Sequence, residues 1–124
     1  MQAKALRPRK TVTAVERAHE LIRWLFPVVS KFPRDFKFTI GDHLQQGCLT
    51  VLRNLVRATY SREKVAYLDE ANQELEVVRH LVRLSRELEL LPEKHYEQAS
   101  KLLYNVGVEI GGWAKDQRKR EAPG

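Results

Sequence analysis

Apolar residues in this chain recur at alternating intervals of three and four, and this spacing constrains the fold more than any other feature. The clearest of four such stripes contains Leu44, Cys48, Val51, Leu55 and Ala58. The other three comprise Val15, Ala18, Ile22, Leu25, Val29 and Phe32; Leu68, Ala71, Leu75, Val78 and Val82; and Tyr96, Ala99, Leu103, Val106, Ile110 and Trp113. Because an α-helix has 3.6 residues per turn, each set lies along one side of a helix. The pattern predicts four amphipathic helices and no sheet.

Short stretches separate the four segments and determine how the helices connect. Pro33 disfavours helical backbone in the residue before it, Ser61 is a candidate N-cap, and Pro92 suits a first helical turn. Short connections make consecutive helices antiparallel. We therefore predict an all-α, up-down-up-down antiparallel four-helix bundle. Its helices are expected at residues 13–32, 36–60, 62–90 and 92–119, within a bundle spanning 13–120 that follows a basic N-terminal arm at 1–12 and precedes a tail at 121–124.

Length and composition place the chain among single-domain globular proteins. Its 124 residues are enough to bury a core, and its one cysteine, Cys48, cannot form an internal disulfide. No apolar run approaches the ~20 residues of a membrane span, and Met1 to Lys10 lacks the apolar stretch of a secretory signal. We therefore expect a cytoplasmic protein without a membrane segment.

The net charge of +6 is unevenly distributed along the chain. The predicted topology brings the start of helix one, the helix two–three connection and the end of helix four to one end of the bundle. Thirteen basic residues assigned to this end, against five acidic ones, are Lys4, Arg7, Arg9, Lys10, Arg17, Arg53, Arg57, Arg62, Lys64, Lys115, Arg118, Lys119 and Arg120. A concentrated basic end is typical of nucleic-acid binding. Solvated termini are the alternative interpretation.

A second basic row lies on the third predicted helix at Arg79, Arg83 and Arg86, where spacings of four and three keep the row on one face. Guanidinium groups match phosphate and carboxylate groups as a planar fork, so the row is a candidate surface for phosphates or a protein partner. Local pairing with Glu76 and Glu87 is the alternative.

Further apolar residues lie beside two of the stripes. They are Val77, Leu81, Leu84 and Leu88 on the third helix, and Leu49, Leu52 and Val56 on the second. One bundle needs about one apolar face per helix, so this surplus suggests contacts between subunits, with a broad core-facing stripe as the alternative. Gly107 and Gly111, one turn apart, indicate either a close approach of two helices or a locally weak helix.

Residue patterns of common catalytic and metal sites are missing from the sequence. It contains no glycine-rich phosphate loop and no Cys/His pair with zinc spacing, and its four histidines are not spaced as metal ligands. Cys48 lies on a core stripe, where a thiol is expected to be inert. An RNA-cleaving helical enzyme would need an arginine–histidine pair at a catalytic spacing, which the helices do not show. We predict no catalytic residue, cofactor or metal, and a non-enzymatic role.

Several ordered motifs, spread over residues 12–120, are similar to those of a known family. They are Val15-Glu16-Arg17, Leu25-Phe26-Pro27, Phe32-Pro33-Arg34, Val78-Arg79-His80-Leu81-Val82-Arg83-Leu84 and Val108-Glu109-Ile110-Gly111-Gly112-Trp113. Together they resemble the accessory variability determinant (Avd) of diversity-generating retroelements. That family belongs to a four-helix-bundle superfamily that includes proteins encoded in ribosomal RNA intervening sequences. The basic arm from Lys4 to Lys10 has no counterpart in this resemblance.

The resemblance implies a non-enzymatic accessory protein that assembles as a homopentamer, associates with the retroelement's reverse transcriptase and binds RNA or DNA during mutagenic reverse transcription. By resemblance, Arg79 and Arg83 match the family's arginine pair on the third helix, and Trp113 with the preceding glycines matches its fourth-helix end. The candidate nucleic-acid or partner-binding residues are Arg79, Arg83, Arg86, Arg53, Arg57, Arg62, Lys64, Lys115, Arg118, Lys119 and Arg120. The alternative function is a protein-interaction bundle of the intervening-sequence type without a retroelement role.

Overall fold

The computed structural model describes residues 9–121, which form four long helices. These are α1 (Arg9–Val29), α2 (Asp42–Tyr60), α3 (Lys64–Glu87) and α4 (Glu93–Glu121). Each helix packs against its neighbours in sequence, and α4 closes the ring by packing against α1, so α2 and α4 lie on a diagonal. No strand occurs within residues 9–121. The architecture is the predicted all-α, antiparallel four-helix bundle.

The buried core follows the predicted stripes on three helices. All five stripe residues are buried on α2 and on α3, and on α4 the stripe is buried from Ala99 to Trp113, with Tyr96 half-buried. Four of the six residues in the first predicted stripe are buried as expected. The prediction was wrong at Val15 and Ile22, which are half-buried, whereas their neighbours Ala14 and Leu21 are buried. Both rows of α1 are apolar, so packing against α2 and α4 decides which row faces inward.

Helix α2 is entered through an irregular helical segment. A short turn at Arg34–Phe36 continues without a break into a π-helical stretch at Lys37–Gly41 and then into α2. Gly41 is buried, and a Cβ there would lie 3.1 Å from Val29 Cγ1 and 3.3 Å from the Phe36 carbonyl oxygen. The absence of a side chain at Gly41 therefore lets this entry pack closely against the end of α1.

Helix α3 ends at Glu87, earlier than the predicted residue 90. The Leu90 N–H donates to the Ser85 carbonyl at 2.8 Å and the Glu89 N–H to the Arg86 carbonyl at 2.9 Å. This pair of bonds is the Schellman motif, which needs a left-handed residue just after the helix. Glu89 takes that role with a φ of 62°. The sequence lacks the usual glycine there, so the end could not be located from residue type.

The connection between α2 and α3 differs from the predicted capping arrangement. The N-cap of α3 is Glu63, not Ser61, and the Ser61 hydroxyl instead accepts a hydrogen bond from the Glu63 N–H at 3.0 Å. The Lys64 ammonium donates to the carbonyl oxygens of Ala58 at 2.8 Å and Thr59 at 3.1 Å. Lys64 therefore satisfies orphan carbonyl groups at the end of α2.

The remaining helix bounds also differ slightly from expectation. Helix α1 begins at Arg9, inside the predicted arm, and ends at Val29 instead of residue 32, while α4 continues to Glu121. The other residues of the predicted arm, 1–8, and residues 122–124 of the predicted tail lie outside the described residues. None of the helices in residues 9–121 combines the length and hydropathy that crossing a membrane requires.

Candidate nucleic-acid and partner interface

The fold divides the candidate basic residues into three groups. We call Arg53, Arg57 and Arg62 the α2 cluster; Arg79, Arg83 and Arg86 the α3 ridge; and Lys115, Arg118, Lys119 and Arg120 the α4 end. The α2 cluster and the α4 end share one end of the bundle, as predicted, because α2 finishes and α4 finishes there. They belong to helices on a diagonal of the bundle.

The guanidinium of Arg79 lies between α3 and α4, in the space beside Gly107 that a larger residue would fill; we call this space the Arg79 seat. It forms an ion pair with Glu76 on its own helix. A Cβ added at Gly107 would overlap the Arg79 Nη2 atom, so the space left by this glycine is taken by the guanidinium. Gly111, in contrast, has no atom within 4 Å of where its Cβ would lie. Neither glycine therefore brings two helix backbones together, which was one of the two interpretations left open by the sequence.

A surface cavity of about 300 Å³ adjoins this seat. Its lining residues are Arg79, Val82, Tyr96, Ser100, Leu103 and Tyr104. Tyr104 is one of the most exposed aromatic side chains in the described part of the chain, with 67% of its surface accessible. The cavity therefore offers a cation, hydroxyl groups and an exposed ring in one place.

All three arginines of the α3 ridge are paired with carboxylates. Besides the Arg79–Glu76 pair, Arg83 Nε lies 3.2 Å from Glu87 Oε2 and Arg86 Nη2 lies 3.1 Å from Glu93 Oε1. The Arg86 guanidinium also lies 4.5 Å from the centre of the Tyr96 ring. The ridge therefore has no net charge once its partners are counted. Glu93 was missed from the sequence because it belongs to the next helix.

The α2 cluster is not compensated in this way. Within residues 9–121, Arg53, Arg57 and Arg62 form no ion pair, and all three side chains are exposed. Arg53 and Arg57 project from the side of α2 opposite its buried stripe, and Arg62 lies in the connection to α3. Lys64 is not part of this exposed set, because its ammonium is bonded to the end of α2.

The α4 end contains one paired and three unpaired cations. Arg118 Nη2 lies 2.6 Å from Asp69 Oδ1 on α3, and this ion pair joins the two helices near the bundle end. Lys115, Lys119 and Arg120 are exposed and form no ion pair with another residue in 9–121. The sequence count omitted Asp69 from this end, so the positive excess there is smaller than predicted.

The surplus apolar residues of α3 are largely solvent-facing. Val77, Leu84 and Leu88 are exposed by 49%, 42% and 41%, and Leu81 between them is half-buried. On α2, Val56 is exposed by 40%, whereas Leu49 and Leu52 are half-buried. The broad core-facing stripe therefore accounts for Leu52 and Leu81, which pack against the core. We call Val77, Leu84 and Leu88 the outer apolar row.

The environment of Cys48 disfavours the nucleophilic thiolate form of its side chain. Burial in the core, with a smaller contribution from the nearby Glu74 carboxylate, raises the pKa of the Cys48 thiol from its ordinary 9.0 to about 12. The thiolate, which is the nucleophilic form, is therefore scarce at neutral pH. Across residues 9–121, no three His, Cys, Asp or Glu side chains converge as a metal site would require.

These features identify the class of protein: a small helical bundle that presents solvent-exposed cations, an exposed apolar row and a surface cavity beside Arg79. A family model described as bAvd-like matches residues 12–117, and the chain belongs to this family. The match agrees with the resemblance read from the motifs and supports an accessory role of the Avd type. A search of curated proteins finds no match.

Proposed function

We propose that this protein is a non-enzymatic, cytoplasmic accessory of a diversity-generating retroelement, which binds nucleic acid and a reverse transcriptase during mutagenic reverse transcription. The observation that carries the nucleic-acid part is the α2 cluster, in which three exposed arginines have no carboxylate partner within residues 9–121. The reverse-transcriptase part rests on membership of the bAvd-like family. The two contacts are assigned to different surfaces.

The α2 cluster is the better surface for phosphates. Phosphate binding gains from releasing counterions that are condensed on nucleic acid, and each unpaired arginine contributes to that release. An arginine that already pairs with glutamate must first exchange its partner, and the displaced carboxylate then repels the incoming phosphate. The cations Lys115, Lys119 and Arg120 of the α4 end extend the same basic end of the bundle and can take further phosphates.

The α3 ridge is the better surface for the protein partner. Its three arginines are held in place by Glu76, Glu87 and Glu93, so the ridge presents alternating charge without a net positive field. Arginine and tyrosine side chains beside a concave pocket are typical of the residues that contribute most binding energy in protein interfaces. The cavity beside Arg79 supplies such a pocket.

The outer apolar row supports assembly into a homo-oligomer, and the family resemblance makes a pentamer the expected form. Val77, Leu84 and Leu88 lie on one side of α3, where a second subunit would remove them from water. Full burial of an exposed Val or Leu side chain is worth about 1.5–3 kcal/mol, and assembly would add the part of this that belongs to the surface still exposed here. Multi-angle light scattering tests the assembly, and Val77→Lys with Leu84→Lys should dissociate it while leaving the helix content unchanged. A monomeric wild-type protein at all concentrations would contradict the assembly proposal.

Nucleic-acid binding is tested by fluorescence anisotropy with labelled RNA and DNA over a range of salt concentrations. Each neutralised phosphate contributes about −0.7 to the slope of log K against log salt for a single strand. Replacing Arg53, Arg57 and Arg62 together by alanine should reduce the magnitude of this slope by about 2 if each binds one phosphate. Replacing Arg79, Arg83 and Arg86 together by alanine removes the same charge from the ridge and is the matched control, which should have a smaller effect.

Reverse-transcriptase binding is tested with the reverse transcriptase of the proposed retroelement. Arg79→Ala combined with Arg83→Ala should abolish co-purification of the two proteins, whereas the triple α2-cluster variant should retain it. If the ridge variant still binds the reverse transcriptase and the cluster variant does not, the two surfaces have been assigned the wrong way round. Absence of a reverse-transcriptase gene beside this one would count against the retroelement role itself.

A further inference from the structure

The end of α2 carries an exposed aromatic ring among the unpaired arginines. Tyr60 is the last residue of α2, and 86% of its side chain is accessible, the highest value among the large apolar and aromatic residues in the described part of the chain. Its hydroxyl forms no hydrogen bond with any residue in 9–121, and its ring contacts no other ring there. The fold therefore gives this ring no structural task.

The register of α2 places Tyr60 on the same outer face as two of the arginines. Each residue advances about 100° around a helix, so Arg53, Arg57 and Tyr60 fall within about 60° of one another. The stripe residues Val51, Leu55 and Ala58 occupy the opposite side and are buried. Arg62 follows two residues after the ring, in the exposed connection to α3. Tyr60 therefore has cations on both sides along the chain.

This arrangement combines the two elements that single-strand binding needs. Cations along a helix face attract the phosphate backbone, and an exposed aromatic ring can stack on a base. Stacking on a side chain requires a base that is free of its own partner and neighbours, so a ring contributes to single-stranded ligands and not to an intact duplex. Arginines alone would bind both forms through their phosphates.

We propose that Tyr60 is a stacking platform for an unpaired base, and that the ligand of the α2 cluster is single-stranded nucleic acid. The proposal rests on the proposed nucleic-acid function and deepens it by naming the ligand class. Tyr60 supplies the base contact, and Arg53, Arg57 and Arg62 hold the phosphates on either side of that base. Recognition at this site depends on access to a base face and not on a particular base sequence.

The test compares three probes: a labelled oligouridine, the same oligomer with abasic positions, and a blunt duplex of equal length. Tyr60→Ala should weaken binding to the oligouridine roughly 5- to 150-fold, the range expected for loss of one stacked base. Tyr60→Phe should bind like the wild type, because the ring is kept and only the hydroxyl is lost. The salt dependence should not change in either variant, since neither removes a charge.

The abasic probe separates stacking from any indirect effect of the substitution. It should bind the wild type as weakly as oligouridine binds Tyr60→Ala, and its affinity should be the same for both proteins. Phe38→Ala is the matched control, because Phe38 is also an exposed ring, 62% accessible, in the segment that precedes α2 at the other end of the bundle. This variant should bind all three probes like the wild type.

The outcomes distinguish failure of this inference from failure of the proposed function. If the wild type binds none of the probes, the nucleic-acid function is wrong. If the wild type binds but Tyr60→Ala loses no affinity for the oligouridine, or loses as much for the duplex, the stacking platform is wrong and phosphate contact alone remains. A change in the mass of Tyr60→Ala by light scattering would show instead that the ring serves subunit assembly, and it would overturn the proposal.

Discussion

Gly47 offers the sharpest test of how closely α2 and α3 pack. The residue is buried in the interior of α2, and a Cβ there would lie 2.7 Å from Val78 Cγ2 and 3.1 Å from Glu74 Oε2. Carbon atoms in favourable contact are ~3.5–4.0 Å apart, so the first of these distances requires something to move. Val78 is fully buried and β-branched, so it has no flexible end that can swing away. Glu74 can adjust, because the contacting atom is at the tip of its side chain.

Two terms of opposite sign decide the effect of Gly47→Ala on the free energy of unfolding. Alanine is better than glycine in a helix interior by about 1 kcal/mol, which favours the variant. Overpacking a close-packed core costs about 1–3 kcal/mol. The free energy of unfolding of Gly47→Ala should therefore be unchanged or lower than that of the wild type by up to about 2 kcal/mol. The matched variant Gly111→Ala gains the same helix propensity and meets no atom within 4 Å, so it should be stabilised by about 1 kcal/mol.

The difference between the two variants isolates the contact, because the propensity term cancels. Urea unfolding followed by far-ultraviolet circular dichroism, at one fixed protein concentration, should show Gly111→Ala to be more stable than Gly47→Ala by about 1–3 kcal/mol. The fixed concentration matters because assembly would add its own stabilisation. Equal stabilisation of both variants would refute the close packing of α2 against Val78.

Three further substitutions test other parts of the structure. Gly107→Ala should displace the Arg79 guanidinium while raising the free energy of unfolding by up to about 1 kcal/mol, because the tip of an arginine side chain moves readily. Loss of reverse-transcriptase binding without loss of stability would support a role for the Arg79 seat in that binding. Unaltered binding would argue against it. Glu89→Gly should stabilise the fold by up to about 1 kcal/mol because φ is positive there, whereas Glu89→Ala, which keeps the Cβ, should give no gain. The Cys48 thiol should react with a thiol reagent only after unfolding. The pKa of the Cys48 thiol is about 12 in the folded protein and 9.0 ordinarily, so the contribution of the protonated thiol to stability is complete below pH 9 and is lost as the pH rises towards 12. Between these pH values the free energy of unfolding of the wild type should fall relative to that of Cys48→Ala, by up to about 1.4 kcal/mol per pH unit. Parallel pH profiles for the two proteins would contradict this.

The number, order and direction of the helices were accessible from the sequence because each depends on local information. Spacings of three and four specify a helix whatever surrounds it, and the short connections leave consecutive helices no choice but to run antiparallel. The same reasoning located every stripe residue of α2 and α3 correctly, although it did not identify the buried Gly47, Asn54 and Ser85. It failed at two positions of α1, where adjacent apolar rows at Leu21 and Ile22 both suit the core. Only the positions of α2 and α4 choose between those rows.

The charged residues also divide into features that the sequence predicts and features that only the tertiary structure shows. The sequence placed the α2 cluster and the α4 end together at one end of the bundle, since that follows from topology alone. It could not show that Lys64 caps α2, that Arg86 pairs with Glu93, or that Arg118 pairs with Asp69, because each contact joins different helices. Which cations remain unpaired is therefore a tertiary property, and it separates the α2 cluster from the α3 ridge.

Local spacing determined the helices of this protein, their antiparallel order and the existence of a basic end. The tertiary structure alone decided which arginines are free, how Gly107 makes room for Arg79, and where α3 ends at a glutamate with a positive φ. The physical reason is how far apart along the chain the interacting residues are. A helix stripe is set by bonds within one turn, whereas an ion pair, a seat for a side chain or a choice between two apolar rows depends on atoms that the chain brings together only when it has folded.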